Sequence, residues 1–174
     1  MTIHPEHPFL PSEGERDPVR RLRGRLVSPV TVWTSELAGR RCGWTVSSML
    51  VADGQPAELV GLLDEDSELA DVIQQTRTVA VTVLTGAHRG LAEAFAGAAP
   101  APGGAFRLGR WTETSWGPVL DDGAGWVGAR LGDGEPEHAG WALLVRATVE
   151  HVALGEAAVD VLGHIRGRYR SVEL

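Results

Sequence analysis

Residues 42–51 read Cys-Gly-Trp-Thr-Val-Ser-Ser-Met-Leu-Val. This apolar, β-branched run predicts a strand. Upstream, Leu26–Ser35 (LVSPVTVWTS) is β-branched and partly alternating. It predicts another strand, with Pro29 near its start, and Glu36–Arg41, which contains Gly39, predicts a hairpin loop between the two. Downstream, Asp53-Gly54-Gln55-Pro56 reads as a turn and Ala57–Leu63 (AELVGLL) as a third, nearly all-apolar strand.

The period then changes. Ser67–Thr76 (SELADVIQQT) sets Leu69, Val72 and Ile73 on one helical face, with Ser67 as N-cap and Glu68 and Asp71 early in the helix. Thr78–Thr85 (TVAVTVLT) alternates as a strand does. Arg89–Gly97 (RGLAEAFAG) predicts a short helix with Leu91, Ala94 and Phe95 inward, ended by Gly97. After an Ala/Pro/Gly loop at Ala98–Gly104, further strands are expected at Phe106–Trp111, Gly125–Leu131 and Gly140–Leu154, with a hairpin signal at Gly132-Asp133-Gly134. The pattern is mainly β with short helices, a barrel or a sandwich.

A chain of 174 residues suggests one domain. Residues 1–24 are polar, charged and Pro-rich, an N-terminal arm, and residues 25–174 form the domain. The arm runs into Arg20-Arg21-Leu22-Arg23-Gly24-Arg25, which reads as a solvated face, a dimer-wrapping arm or a phosphate contact. The net charge of -7 argues against a nucleic-acid partner, which leaves a basic footprint. All 16 basic residues are Arg, so no lysine exists for a Schiff base. Cys42 is the one cysteine, which excludes an internal disulfide and reads as a buried, inert thiol. No apolar run approaches the roughly 20 residues that span a bilayer, and Met1–Pro11 lacks the apolar region of a secretory leader. The expected location is cytoplasmic, with no membrane association. The histidines form no zinc-like pair, and no G-x-S-x-G or G-x-G-x-x-G follows a strand, so no metal site, serine hydrolase or Rossmann domain is expected. The six Trp are expected mostly in the core and in dimer contacts.

Several segments, in order, resemble the flavin reductase-like, FMN-binding split β-barrel family. They are Val30-Thr31-Val32, Gly43-Trp44-Thr45-Val46-Ser47-Ser48-Met49, Leu62-Leu63-Asp64 with Ser67, and Val81-Thr82-Val83-Leu84. Leu91-Ala92 with Phe95-Ala96-Gly97, Pro118-Val119-Leu120-Asp121 and the ending His164-Ile165-Arg166-Gly167-Arg168-Tyr169-Arg170 complete the set. The likeness covers Arg25 to the C-terminus. It implies a split β-barrel working as a homodimer, binding FMN (FAD as the alternative) and using NAD(P)H as co-substrate. The implied activity is flavin reduction in the service of a monooxygenase partner.

By resemblance, Thr45, Val46, Ser47 and Ser48 contact the flavin ring and ribityl chain, Trp44 lies against the ring, and Ser67 helps hold the phosphate. Taken alone, Thr45 and Ser47 suit ordinary strand hydroxyls and Ser67 a plain N-cap. The chain also departs from the family. Glu65, Asp66 and Glu68 flank Ser67, and Arg89, Arg166 and Arg168 are the cations expected to offset them, while His164 with Arg166 and Arg168 suits an anion site for phosphate. The family's nicotinamide-contacting His falls at Trp141, with His138 three residues early; these two are the nicotinamide-side candidates. The alternative reading is a non-catalytic split barrel holding a flavin, a deazaflavin or haem, and a third is a dimeric scaffold without cofactor.

Overall fold

A computed structural model describes residues 17–134, 137–156 and 158–174; most of the predicted arm, residues 1–16, lies outside them. The element order opens with α1 (Pro18–Arg23), β1 (Ser28–Pro29), β2 (Thr31–Leu37), β3 (Arg40–Val46), β4 (Met49–Ala52) and β5 (Glu58–Asp64). It continues with α2 (Glu68–Thr76), β6 (Thr78–Val83), α3 (Arg89–Phe95), β7 (Trp111–Thr112), β8 (Val119–Leu120) and β9 (Gly125–Leu131). β10 (Glu137–Ala139), β11 (Ala142–Leu154), β12 (Asp160–Ile165) and β13 (Arg168–Glu173) complete it.

The main sheet runs β3-β2-β6-β9-β11-β5-β4, with β10 paired to β11. It curls so that its end strands, β3 and β4, are joined by Ser47 and Ser48 alone, and the Leu62 N–H on β5 donates to the Ser48 carbonyl at 2.8 Å, extending the β4–β5 ladder. This is the split half-barrel that the resemblance implies. The alternation of β2 and β3 builds it. Trp33, Cys42 and Val46 turn into the barrel, with Trp44 packed beside them, and α2 fills the mouth with Leu69, Ala70, Val72 and Ile73. Val30 and Val32 turn the other way, onto α3 and Leu162. The β2–β3 loop is tighter than Glu36–Arg41: only Ala38 and Gly39 form the turn, both with positive φ, as a two-residue hairpin with strand-matched twist requires.

Three expectations are corrected. The strand expected at Phe106–Trp111 is a 3-10 turn (Ala105–Leu108) followed by the short β7. Phe95, Phe106 and Trp111 meet there edge-on, with ring centroids 4.9–5.6 Å apart, so aromatic packing sets the backbone and no ladder is needed. Cys42–Val51 is not one strand, because it breaks at Ser47 and Ser48 where the barrel edges meet. The end of the arm is a helix: Asp17 caps α1 by accepting the Val19 N–H at 2.9 Å.

Candidate functional site

Glycine decides how α3 approaches β3. A Cβ on Gly43 would lie 2.7 Å from the Phe95 ring, so only glycine leaves room for the helix. The Thr45 hydroxyl then reaches the Ala92 carbonyl at 2.8 Å. Val46 is fully committed to the barrel core and Trp44 is half-buried against it. Ser47 and Ser48, just past the end of the strand, are half-buried, as Trp44 and Thr45 are.

Ser48 meets an arginine. Its hydroxyl accepts from the Arg23 guanidinium at 3.3 Å. His164 lies near Arg23. Burial first, and the Arg23 charge second, hold its imidazole below the usual histidine range. The same imidazole stands edge-on to Tyr169 at 5.4 Å, and the Arg89 guanidinium lies 6.0 Å from the Tyr169 ring centre while pairing with Glu93 at 2.9 Å. Ser48, Arg23, His164, Tyr169 and Arg89 thus form one continuous run. Arg166 and Arg168 sit on the adjoining β12–β13 hairpin with exposed side chains. The Arg166 N–H donates to the Gly24 carbonyl at 2.8 Å, fixing the hairpin tip against the end of α1.

The other candidates gather at a second place, the corner where β5 turns into α2. Ser67 is buried there, its hydroxyl donating to the Asp64 carbonyl at 2.6 Å and accepting the Ala70 N–H at 3.2 Å. His138 meets Glu65 at 2.7 Å. Trp141, 95% exposed, stands at the tip of the β10–β11 hairpin, next to Ala142, which pairs with Asp64. Two of the three carboxylates flanking Ser67 are met locally, Glu68 by Arg40 at 2.5 Å and Glu65 by His138. Arg89, Arg166, Arg168 and His164 belong to the first group instead. The two groups are joined by β5, since Leu62 binds Ser48 and Asp64 binds Ser67, and two strand residues span roughly 7 Å.

Two partners escaped the sequence reading as site residues, Arg23 and Tyr169. Both stand in stretches that it singled out, the arginine run and the GRYR ending. What brings them to Ser48 is the pairing of β1 with β12 and the tie of the β12–β13 hairpin to the end of α1, which no local pattern encodes. Two clefts among the described residues lie elsewhere: one of about 420 Å³ beside Gln74, Arg77, Leu131 and Leu143, and one of about 210 Å³ between Glu36, Glu113 and Trp116. The Ser48 group lies outside both of them.

Residues 23–173 match a family model described as "Flavin reductase like domain". Over 106 residues the chain is 30% identical to an FMN reductase (NADH) RutF of Ancylobacter novellus, covering 60% of this chain and 58% of that protein. It is 31% identical over 110 residues to the 4-hydroxyphenylacetate 3-monooxygenase reductase component of Pseudomonas aeruginosa, covering 62% and 65%. The match thus spans less than two thirds of the length of these curated relatives. Among solved structures, flavin reductase PheA2 superposes with a TM-score of 0.79 at 24% identity, over 91% of this chain and 100% of that one. At that identity the superposition speaks for the fold.

Proposed function

The chain belongs to the flavin reductase-like family, and from that premise we propose that it is itself a flavin reductase. In this reading it is a cytoplasmic homodimer that binds a flavin non-covalently and passes hydride to it from NADH or NADPH, supplying a monooxygenase partner. The observation that carries the reading is the cationic group at the end of β3. Among the described residues Arg23 has no carboxylate partner, and Ser48 already accepts from it. The group lacks an anion, and a flavin phosphate is one that guanidinium and hydroxyl donors hold well. Leu62, half a strand away and 37% exposed, offers apolar surface of the kind a flavin ring needs.

The flavin, when bound, supplies the hydride acceptor; the chain's residues bind and orient it. Arg23, Ser48 and His164 fix the phosphate end. Trp141 and His138 flank the β5–α2 corner on the side where the nicotinamide is expected. The test is NADH oxidation with added flavin, compared with free flavin alone. Protein-dependent oxidation is expected, with Ser48→Ala and Arg23→Ala each raising the flavin KM by about tenfold, the worth of one charge-assisted contact. Absence of saturable flavin binding would overturn the reading.

One observation favours a binding module instead: His138 is already engaged by Glu65 at 2.7 Å. Saturable flavin, deazaflavin or haem binding without NAD(P)H oxidation selects that alternative.

A further inference from the structure

Arginine is unevenly placed on this surface. Arg40, Arg41, Arg89, Arg130 and Arg146 each meet a glutamate. Of the ten other described arginines, none of which forms an ion pair, seven stand in two segments. α1 and its exit carry Arg20, Arg21, Arg23 and Arg25; the β12–β13 hairpin carries Arg166, Arg168 and Arg170. All are exposed, and none forms an ion pair among the described residues. The hydrogen bond from the Arg166 N–H to the Gly24 carbonyl ties the two segments together.

The chain as a whole carries a net charge of -7, so this concentration of unpaired positive charge runs against its average. Like charges held side by side repel unless an anion joins them. One phosphate at Ser48 is already served by Arg23, with His164 and Arg89 behind it. Arg21, Arg25 and the hairpin arginines are surplus to that need. They are also interleaved with apolar surface: Leu22 and Leu26 are 61% and 59% exposed. Cations alternating with exposed apolar side chains suit a ligand that joins phosphate to a flat aromatic base. α1 buries no residue of its own, so core packing does not explain its composition.

Resting on the flavin reading above, we propose that the arginine edge formed by α1 and the β12–β13 hairpin holds the second phosphate and the adenosine of FAD, so that the protein selects FAD over FMN. Arg21 and Arg25 supply the selectivity; Ser48 and Arg23 serve the phosphate that both flavins share.

The experiment is titration of the full chain with FMN and with FAD, followed by tryptophan quenching, for the wild type, Arg21→Ala/Arg25→Ala and the charge-conserving Arg21→Lys/Arg25→Lys. FAD is expected to bind at least about tenfold tighter than FMN at low ionic strength, with the advantage shrinking as salt screens the exposed charges. The alanine pair should lose that advantage and keep its FMN affinity, and the lysine pair should recover most of it. Equal affinity of the wild type for the two flavins overturns the proposal and leaves the reductase reading standing. So does an FAD affinity that neither salt nor the alanine pair moves. Quenching by neither flavin overturns the reductase reading and this proposal with it.

Discussion

Single residues set both the barrel interior and the chemistry at its rim. Trp33 is fully buried, and its indole N–H donates to the Thr31 hydroxyl at 3.1 Å, which in turn donates to the Val46 carbonyl at 2.7 Å. Its ring lies against the backbone of Gly61: a Cβ there would fall 2.5 Å from the ring. Gly61→Ala is therefore an overpacking substitution with no flexible neighbour to yield. It should destabilise by about 1–3 kcal/mol, read as a lower urea midpoint with an unchanged slope. Cys42 illustrates the same interior: burial pushes its thiol up to about 11, so the native protein should resist alkylation at neutral pH. His164 behaves oppositely to a surface histidine. Its folded pKa lies below the unfolded one, so the unfolded chain takes up the proton first as pH falls. The stability it contributes is complete above the unfolded value, near 6.5, and declines as pH drops below it. His164→Gln should flatten that decline, seen by comparing urea midpoints at about pH 8 and about pH 5.5; an unchanged slope would assign it to other groups.

Elements were legible where their own residues decide them. Ser67 and the spacing of Leu69, Val72 and Ile73 announce α2, and the structure gives a helix over Glu68–Thr76 with Ser67 as cap. Gly97 marks the end of α3 with φ of 67°, as its position predicts. Elements that depend on distant packing were not legible. Phe106 and Trp111 suit a strand by composition, yet Phe95 draws both into a cluster that a turn satisfies. α1 is six residues long and buries none of its side chains, so it lacks the apolar stripe that would reveal it. The candidate site divides in the same way. Its residue types were readable, but its grouping was not: Arg23 meets Ser48 across 25 positions, and His164 stands still farther along the chain. Ser67 was singled out for a phosphate, and its hydroxyl is instead engaged at both ends within its own turn. Removing it tests that role. Ser67→Ala should cost about 1 kcal/mol from loss of the cap, measured by chemical denaturation. If instead flavin affinity falls while stability holds, the hydroxyl serves the ligand rather than the helix.

At the scale of the whole molecule, no element among the described residues covers one face of the curled sheet. The register of β4 with β5 sets Leu50 opposite Val60, and that of β11 with β5 sets Leu144 opposite Leu62. These four apolar side chains therefore share the outer face of the sheet, with Leu50 57% exposed and Leu62 37% exposed. Contiguous exposed apolar surface of this kind marks an interface, and a two-fold pairing of identical chains is the commonest way to cover it. The face is continuous with the proposed flavin site, because Leu62 is hydrogen-bonded to the Ser48 carbonyl. A second copy packed here would stand beside the cationic group, so dimerisation and flavin binding should be coupled. Leu50→Glu places a carboxylate on this face without touching the core or Leu62. Light scattering should show the wild type as a dimer at roughly micromolar concentration and the variant as a monomer with unchanged circular dichroism, since burying unpaired charge at an interface is costly. Flavin affinity should fall in step with dissociation. A variant that remains dimeric would move the interface to another surface, and a monomeric variant that binds flavin as the wild type does would show that each protomer holds its flavin alone.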